Sequence, residues 1–166
     1  MSGRRGSVAV EFALVAPLLL TLAGGIVELG GALRAYAAVN RLAMQYAISF
    51  ADCSDTSSGV CQTELNQYVT SFMTGNIAPM LTPANLVVSM SQVLMNGTTP
   101  TVEYQSTGSP ALSAAQTTAL QAAVPSGQTG VVDTVTYQYS LLVFATLMTP
   151  IIGSSFNISY TVAQLK

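Results

Sequence analysis

The stretch from Phe12 to Val27 (FALVAPLLLTLAGGIV) carries no charge, and its apolar character extends from Val8 to Leu29 across Glu11 and Glu28. That is the length a helix needs to cross a bilayer, about 20 residues. The rest of the composition agrees. Half of the 166 residues are hydrophobic and 7% are charged, against roughly a quarter charged in an ordinary soluble domain. A chain of this kind belongs in lipid or in a protein assembly, and its length suits one domain outside the span.

Composition also excludes function classes. Five basic and seven acidic residues give a net charge of −2, so no basic surface is expected for a nucleic-acid backbone. With no His, no Trp and two Cys, the chain lacks the usual general base, His-based triads and common zinc ligand sets. This argues against an enzyme, and no cofactor or metal is expected. Asp52 and Asp55 beside the cysteines read as a solvated turn, because calcium asks for a larger acidic cluster.

Arg4 and Arg5 precede the apolar run, and the positive-inside tendency keeps them cytoplasmic. Arg34 and Arg41 past its other end offset them, so charge alone does not orient the span. Cys53 and Cys61, in the polar stretch DCSDTSSGVC, suit a small disulfide loop in an oxidising compartment, which places the C-terminal part outside the cytoplasm. A cleaved signal peptide ending at Ala35-Tyr36-Ala37 is the ordinary alternative. Against it stand Glu11 inside the apolar region and an amphipathic pattern that runs on past Ala37. A carboxylate in a bilayer costs about 2.5–3.5 kcal/mol on insertion scales and by default marks function.

Arg4-Arg5-Gly6, then five residues ending in Glu11, then Phe12 and the apolar run, resembles the cleavage site of type IV prepilins, especially those of the tight-adherence (Tad) pilus. On that resemblance a prepilin peptidase cuts after Gly6, Ser7 becomes the mature N-terminus, and Glu11 is mature residue five. Glycine leaves the backbone open to a peptidase, and a cut outside the apolar segment leaves the span attached. The new ammonium at Ser7 and the carboxylate of Glu11 would each neutralise the other, within one helix or between neighbouring subunits, where the pairing gives assembly a register. Residues 4–47 further resemble the TadE-like family, through Ala9-Val10-Glu11-Phe12-Ala13-Leu14, Pro17-Leu18-Leu19-Leu20, Gly25-Ile26-Val27-Glu28-Leu29-Gly30 and Tyr36. The resemblance implies a minor pilin or pseudopilin that works with a prepilin peptidase, other major and minor pilins and the Tad pilus assembly machinery of the inner membrane. Major Tad pilins are much shorter and carry Glu-Tyr where this chain has Glu11-Phe12.

Beyond the span, Val39, Leu42, Ala43, Tyr46, Ala47 and Phe50 keep helical spacing, with Arg34, Arg41, Gln45 and Asp52 on the other side. One helix is expected from Ser7 to about Ala51, softened at Pro17 and Gly24-Gly25. Glu28 and Arg34 read as solvated boundary charges, and Gly24, Gly25, Gly30, Gly31 and Ala32 as small residues that let helices approach.

The segment 52–166 turns to Ser, Thr, Gln and Asn. Gln62–Met73 predicts a short helix. Leu86–Met95 and Thr98–Gln105 predict a hairpin through a type I′ turn at Asn96-Gly97, with Pro100 marking an edge strand. Ser109-Pro110 opens an Ala-rich helix to about Ala123. Val131–Leu141 and Asn157–Gln164 alternate as half-buried strands. Leu141–Ile152 is too short for a span, contains Pro150 and reads as a loop packed over the sheet.

The expected fold is α+β and pilin-like: a leader at 1–6, a long transmembrane and amphipathic helix at 7–51 that spans at about 8–29, and an extracytoplasmic domain at 52–166 in which the helix packs on a small antiparallel sheet. The expected function is that of a TadE-like minor pilin of the inner membrane. The rival is a signal-anchored periplasmic binding or adhesion module that never enters a filament.

Overall fold

The computed structural model describes residues 3–53, 61, 63, 67, 81–106, 109–145, 149 and 153–166, and at 3–9 the course of the backbone alone. The elements in order are α1 (Gly3–Asp52), a 3-10 turn (Pro83–Asn85), β1 (Leu86–Asn96), β2 (Thr99–Gln105), α2 (Ala114–Ala123), β3 (Thr129–Ser140) and β4 (Ser155–Leu165). This is the α+β class the patterning implies. The chain divides into two compact units, Met1–Arg34 with Ser140–Phe156, and Ala35–Tyr139 with Asn157–Lys166.

The second unit holds a four-stranded sheet in the order β2-β1-β3-β4. β1 pairs antiparallel with β2, from Asn96 opposite Thr99 to Ser91 opposite Gln105, and with β3, from Leu86 opposite Tyr137 to Leu94 opposite Thr129. β2 is an edge strand, which accommodates Pro100 because its missing N–H is not required by a second neighbour. The hairpin forms where Asn96-Gly97 announces it, but the turn differs. Asn96 stays in the strand opposite Thr99, leaving Gly97-Thr98 as the two-residue loop. Gly97 alone has positive φ, at 66°, the pattern of a II′ turn, whereas I′ needs positive φ at both central positions.

The two faces of this sheet carry different cores. On one side Ala35, Val39, Leu42, Ala43, Tyr46, Ala47 and Phe50 of α1 are at most 2% exposed, while Arg41, Gln45 and Asp52 point outward. The helical spacing read from the sequence is thus the stripe that packs on the sheet. Contacts along it include Tyr36 edge-on to Tyr160, with ring centroids 6.3 Å apart, and Phe50 against Tyr104 at 6.0 Å. The Gln164 side-chain amide also donates to the Ala47 carbonyl at 2.8 Å. On the opposite side α2 closes over Val93, Met95 and Val132 with Leu120 and Val124. The N-cap of α2 is Ser113, three residues past Pro110. Gln116 N–H donates to Ser113 Oγ and Ser113 N–H to Gln116 Oε1, at 3.2 and 2.8 Å, a capping box that settles the start of the helix. Gln116 then donates through Nε2 to Thr134 Oγ1 at 3.0 Å, tying that cap to β3.

Of the helix expected at Gln62–Met73, Thr63 and Gln67 are described and are helical; its other residues lie outside the described ones, as does Asp55. Cys53 and Cys61 form the expected disulfide, with Cα atoms 6.1 Å apart, within the usual span of such bridges.

In the first unit α1 runs unbroken through Pro17, whose carbonyl accepts from Thr21 Oγ1 at 2.8 Å. The helix begins at Gly3, upstream of the expected Ser7, so Arg4, Arg5, Gly6 and Ser7 all have helical backbone. Met1 and Ser2 lie outside the described residues.

Candidate functional site

The apolar surface of α1 is the first functional feature. Val10, Phe12, Leu14, Val15, Leu18, Leu19, Leu20 and Leu22 are 48–74% exposed. At about 1.5–3 kcal/mol for each such side chain, leaving the eight in water forgoes roughly 12–24 kcal/mol, more than the whole net stability of many domains. This segment therefore requires a cover of lipid or of other apolar helices. From Val10 on, the helix is long and apolar enough to cross a membrane. Glu11 sits at the start of that surface and is exposed, one helical turn after Ser7. That i, i+4 spacing puts the two on one side of α1.

The second feature is Glu28, and it corrects the expectation of a solvated boundary charge. Glu28 is only 9% exposed. The Leu142 N–H donates to both of its carboxylate oxygens, at 3.2 and 3.0 Å, and the Val143 N–H donates to Oε2 at 2.7 Å. A buried carboxylate has to be hydrogen-bonded, and here the acceptors are met by backbone amides 114 and 115 residues away in sequence. Arg34 does remain exposed. Val143 and Phe144 then lie over Gly24. A Cβ built there would stand 2.9 Å from Val143 Cγ1 and 3.0 Å from Phe144 Cζ. The glycine read as a helix–helix contact thus admits a segment of the same chain. The described beginning of Leu141–Ile152 accordingly packs on α1 within the first unit, with Leu142 still 65% exposed. Beside it an open apolar groove of about 800 Å³ runs between Leu22, Ile26 and Leu29 of α1 and Phe144 and Phe156.

Sequence reasoning missed a third residue, Asp133. It lies in the middle of β3, is 0% exposed, and neither carboxylate oxygen has a hydrogen-bond partner. Burial pushes its pKa well above the usual carboxylate range; the Thr134 backbone amide pulls the other way without reaching hydrogen-bond geometry. Tyr46 on α1 is shifted upward as well, first by burial and second by the Asp133 charge. The available signal was a lone acid at an inward position of an alternating strand, Val131-Val132-Asp133-Thr134-Val135.

Among the described residues no group of three or more Cys, Asp and Glu side chains is placed to hold a metal ion. Comparison with the curated proteins and with the solved structures returns no match. The N-terminal segment is different: over residues 6–47, which run from the expected cleavage glycine through the exposed face of α1 to the sheet-packed Ala47, the chain matches the TadE-like protein family.

Proposed function

We propose that the protein is a minor pilin or pseudopilin of the TadE-like kind, with a structural rather than catalytic role in building a Tad pilus. The coincidence of the family match at residues 6–47 with a water-intolerant helix face that begins at Glu11 carries this reading. Residues 1–6 form a cytoplasmic leader, α1 crosses the bacterial inner membrane once, and the domain bearing the Cys53–Cys61 disulfide stands in the periplasm, where oxidation is favoured. A prepilin peptidase removes the leader after Gly6, with Arg4 and Arg5 holding the site at the cytoplasmic face. When the subunit leaves lipid for the assembly, the exposed face of α1 exchanges hydrocarbon for the helices of other pilins. The Ser7 ammonium and Glu11 of neighbouring subunits then neutralise one another.

N-terminal sequencing of the protein from cells with and without the peptidase tests this. A start at Ser7 that depends on the peptidase is expected. A start at Met1 or Ser2 in both strains refutes it in favour of an anchored periplasmic binding module, and a start near Ala38 refutes it in favour of ordinary secretion.

A further inference from the structure

The outer half of α1 is seated on the sheet across a surface that contains one carboxylic acid. Asp133 is opposite Met90 of β1. On its other side the Thr134–Thr161 and Thr136–Ser159 hydroxyl pairs, 2.9 and 3.0 Å, and the Lys166 N–H bond to Thr129 O at 3.0 Å put Val162 of β4 across from it. Above it is Tyr46 of α1, itself 2% exposed, whose hydroxyl feels the Asp133 charge. Among the described residues the other titratable side chains at this interface are tyrosines: Tyr36 from α1, Tyr104 from β2, Tyr137 and Tyr139 from β3 and Tyr160 from β4. The described charged residues of this unit, Arg41, Asp52, Glu103 and Lys166, are all exposed, and Lys166 Nζ bonds to Gln92 Oε1 at 2.6 Å. Among the described residues no cation faces the acid, and no donor satisfies either of its oxygens. An ionised carboxylate in that position is uncompensated; a protonated one is a modest polar group among Met90, Val162 and the Tyr46 ring.

We propose that Asp133 is a one-proton latch for the second unit: residues 35–52 of α1 stay seated on the sheet while its carboxyl is neutral, and loss of that proton loosens the helix. The observation behind it is geometric, an acid with no partner at the centre of a helix–sheet interface.

The sign follows from linkage. The folded form holds the proton more tightly than the unfolded chain, where an aspartate titrates near 3.9. The seat is therefore at full strength below about pH 4 and weakens as pH rises, with the folded-to-unfolded ratio falling up to about tenfold per pH unit until the folded form itself ionises. The full chain in mild detergent micelles, unfolded with urea at pH 5, 6, 7 and 8 and followed by tyrosine near-UV circular dichroism, reads this ratio. Wild type should lose stability at each step, while Asp133→Asn and Asp133→Val should give flat profiles and be the more stable at pH 8. Tyr46→Phe should keep the wild-type slope. The proposal is overturned by a flat wild-type profile, by variants that keep the slope, or by a Tyr46→Phe profile that loses it. Failure of both Asp133 variants to fold at pH 5 also overturns it, because an uncharged side chain is what the site is argued to require.

Discussion

Truncating Glu28 separates a carboxylate that clamps a distant segment from one that merely borders the membrane. Its oxygens accept from two backbone amides, those of Leu142 and Val143. Hydrogen bonds to a charged group contribute about 1.5–3 kcal/mol each. Leu142 is 65% exposed, so water partly replaces the lost acceptor, and the lower end of that range applies. Glu28→Ala should then weaken the docking of Leu142 and Val143 on α1 by about 3 kcal/mol for the two amides, or roughly 150-fold at a factor of ten per 1.4 kcal/mol. Glu28→Gln keeps one acceptor oxygen but not the charge, and neutral bonds are about half as strong, so its effect should be on the order of tenfold. Hydrogen exchange at Leu142 and Val143, measured residue by residue in micelles, reads the undocking directly. Exchange within about threefold of wild type in both variants, a difference of less than 1 kcal/mol, would show that the clamp contributes nothing and would return Glu28 to the role of a boundary charge.

Two further outcomes are expected. A methyl group on Gly130 would meet Val124 Cγ2 at 2.3 Å and the Gln164 backbone oxygen at 3.0 Å. Gly130→Ala should therefore destabilise the second unit by about 1–3 kcal/mol, whereas Gly24→Ala, which meets only side-chain ends, should cost less; equal urea midpoints for Gly130→Ala and wild type would refute the close approach. Glu11→Ala should insert in the membrane and lose its leader normally but fail to copurify with partner pilins, and recovery at wild-type levels would remove the charge-pairing role.

Much of this fold is legible in the sequence because it depends on local periodicity. The stripe from Val39 to Phe50 is buried as its spacing demands, and Asn96-Gly97 with Pro100 marks both the hairpin and its edge position. Errors arise where a distant group decides. The turn type depends on whether Asn96 keeps its partner Thr99 in the ladder, which the dipeptide alone does not encode. The start of α2 is decided by a reciprocal Ser113–Gln116 cap that competes with the nearby Ser109-Pro110. Glu28 looks like a flanking charge because its donors are backbone amides, which have no signature in sequence. Asp133 stands in the sequence as a lone acid in an alternating strand, and its burial becomes visible only when α1 packs over β3 beside β1.

The hydroxyl rungs between β3 and β4 carry a consequence for the connection that joins them. Thr134 with Thr161, and Thr136 with Ser159, pair only at one sliding position of the two strands. A slip by one residue would turn each β4 side chain to the opposite face, and a slip by two would leave a hydroxyl at each end facing an unmatched neighbour. Alignment is thus written into the strands themselves, and the chain between residues 141 and 154 is spared that duty. Insertions or deletions there should leave the alignment of β3 with β4 intact.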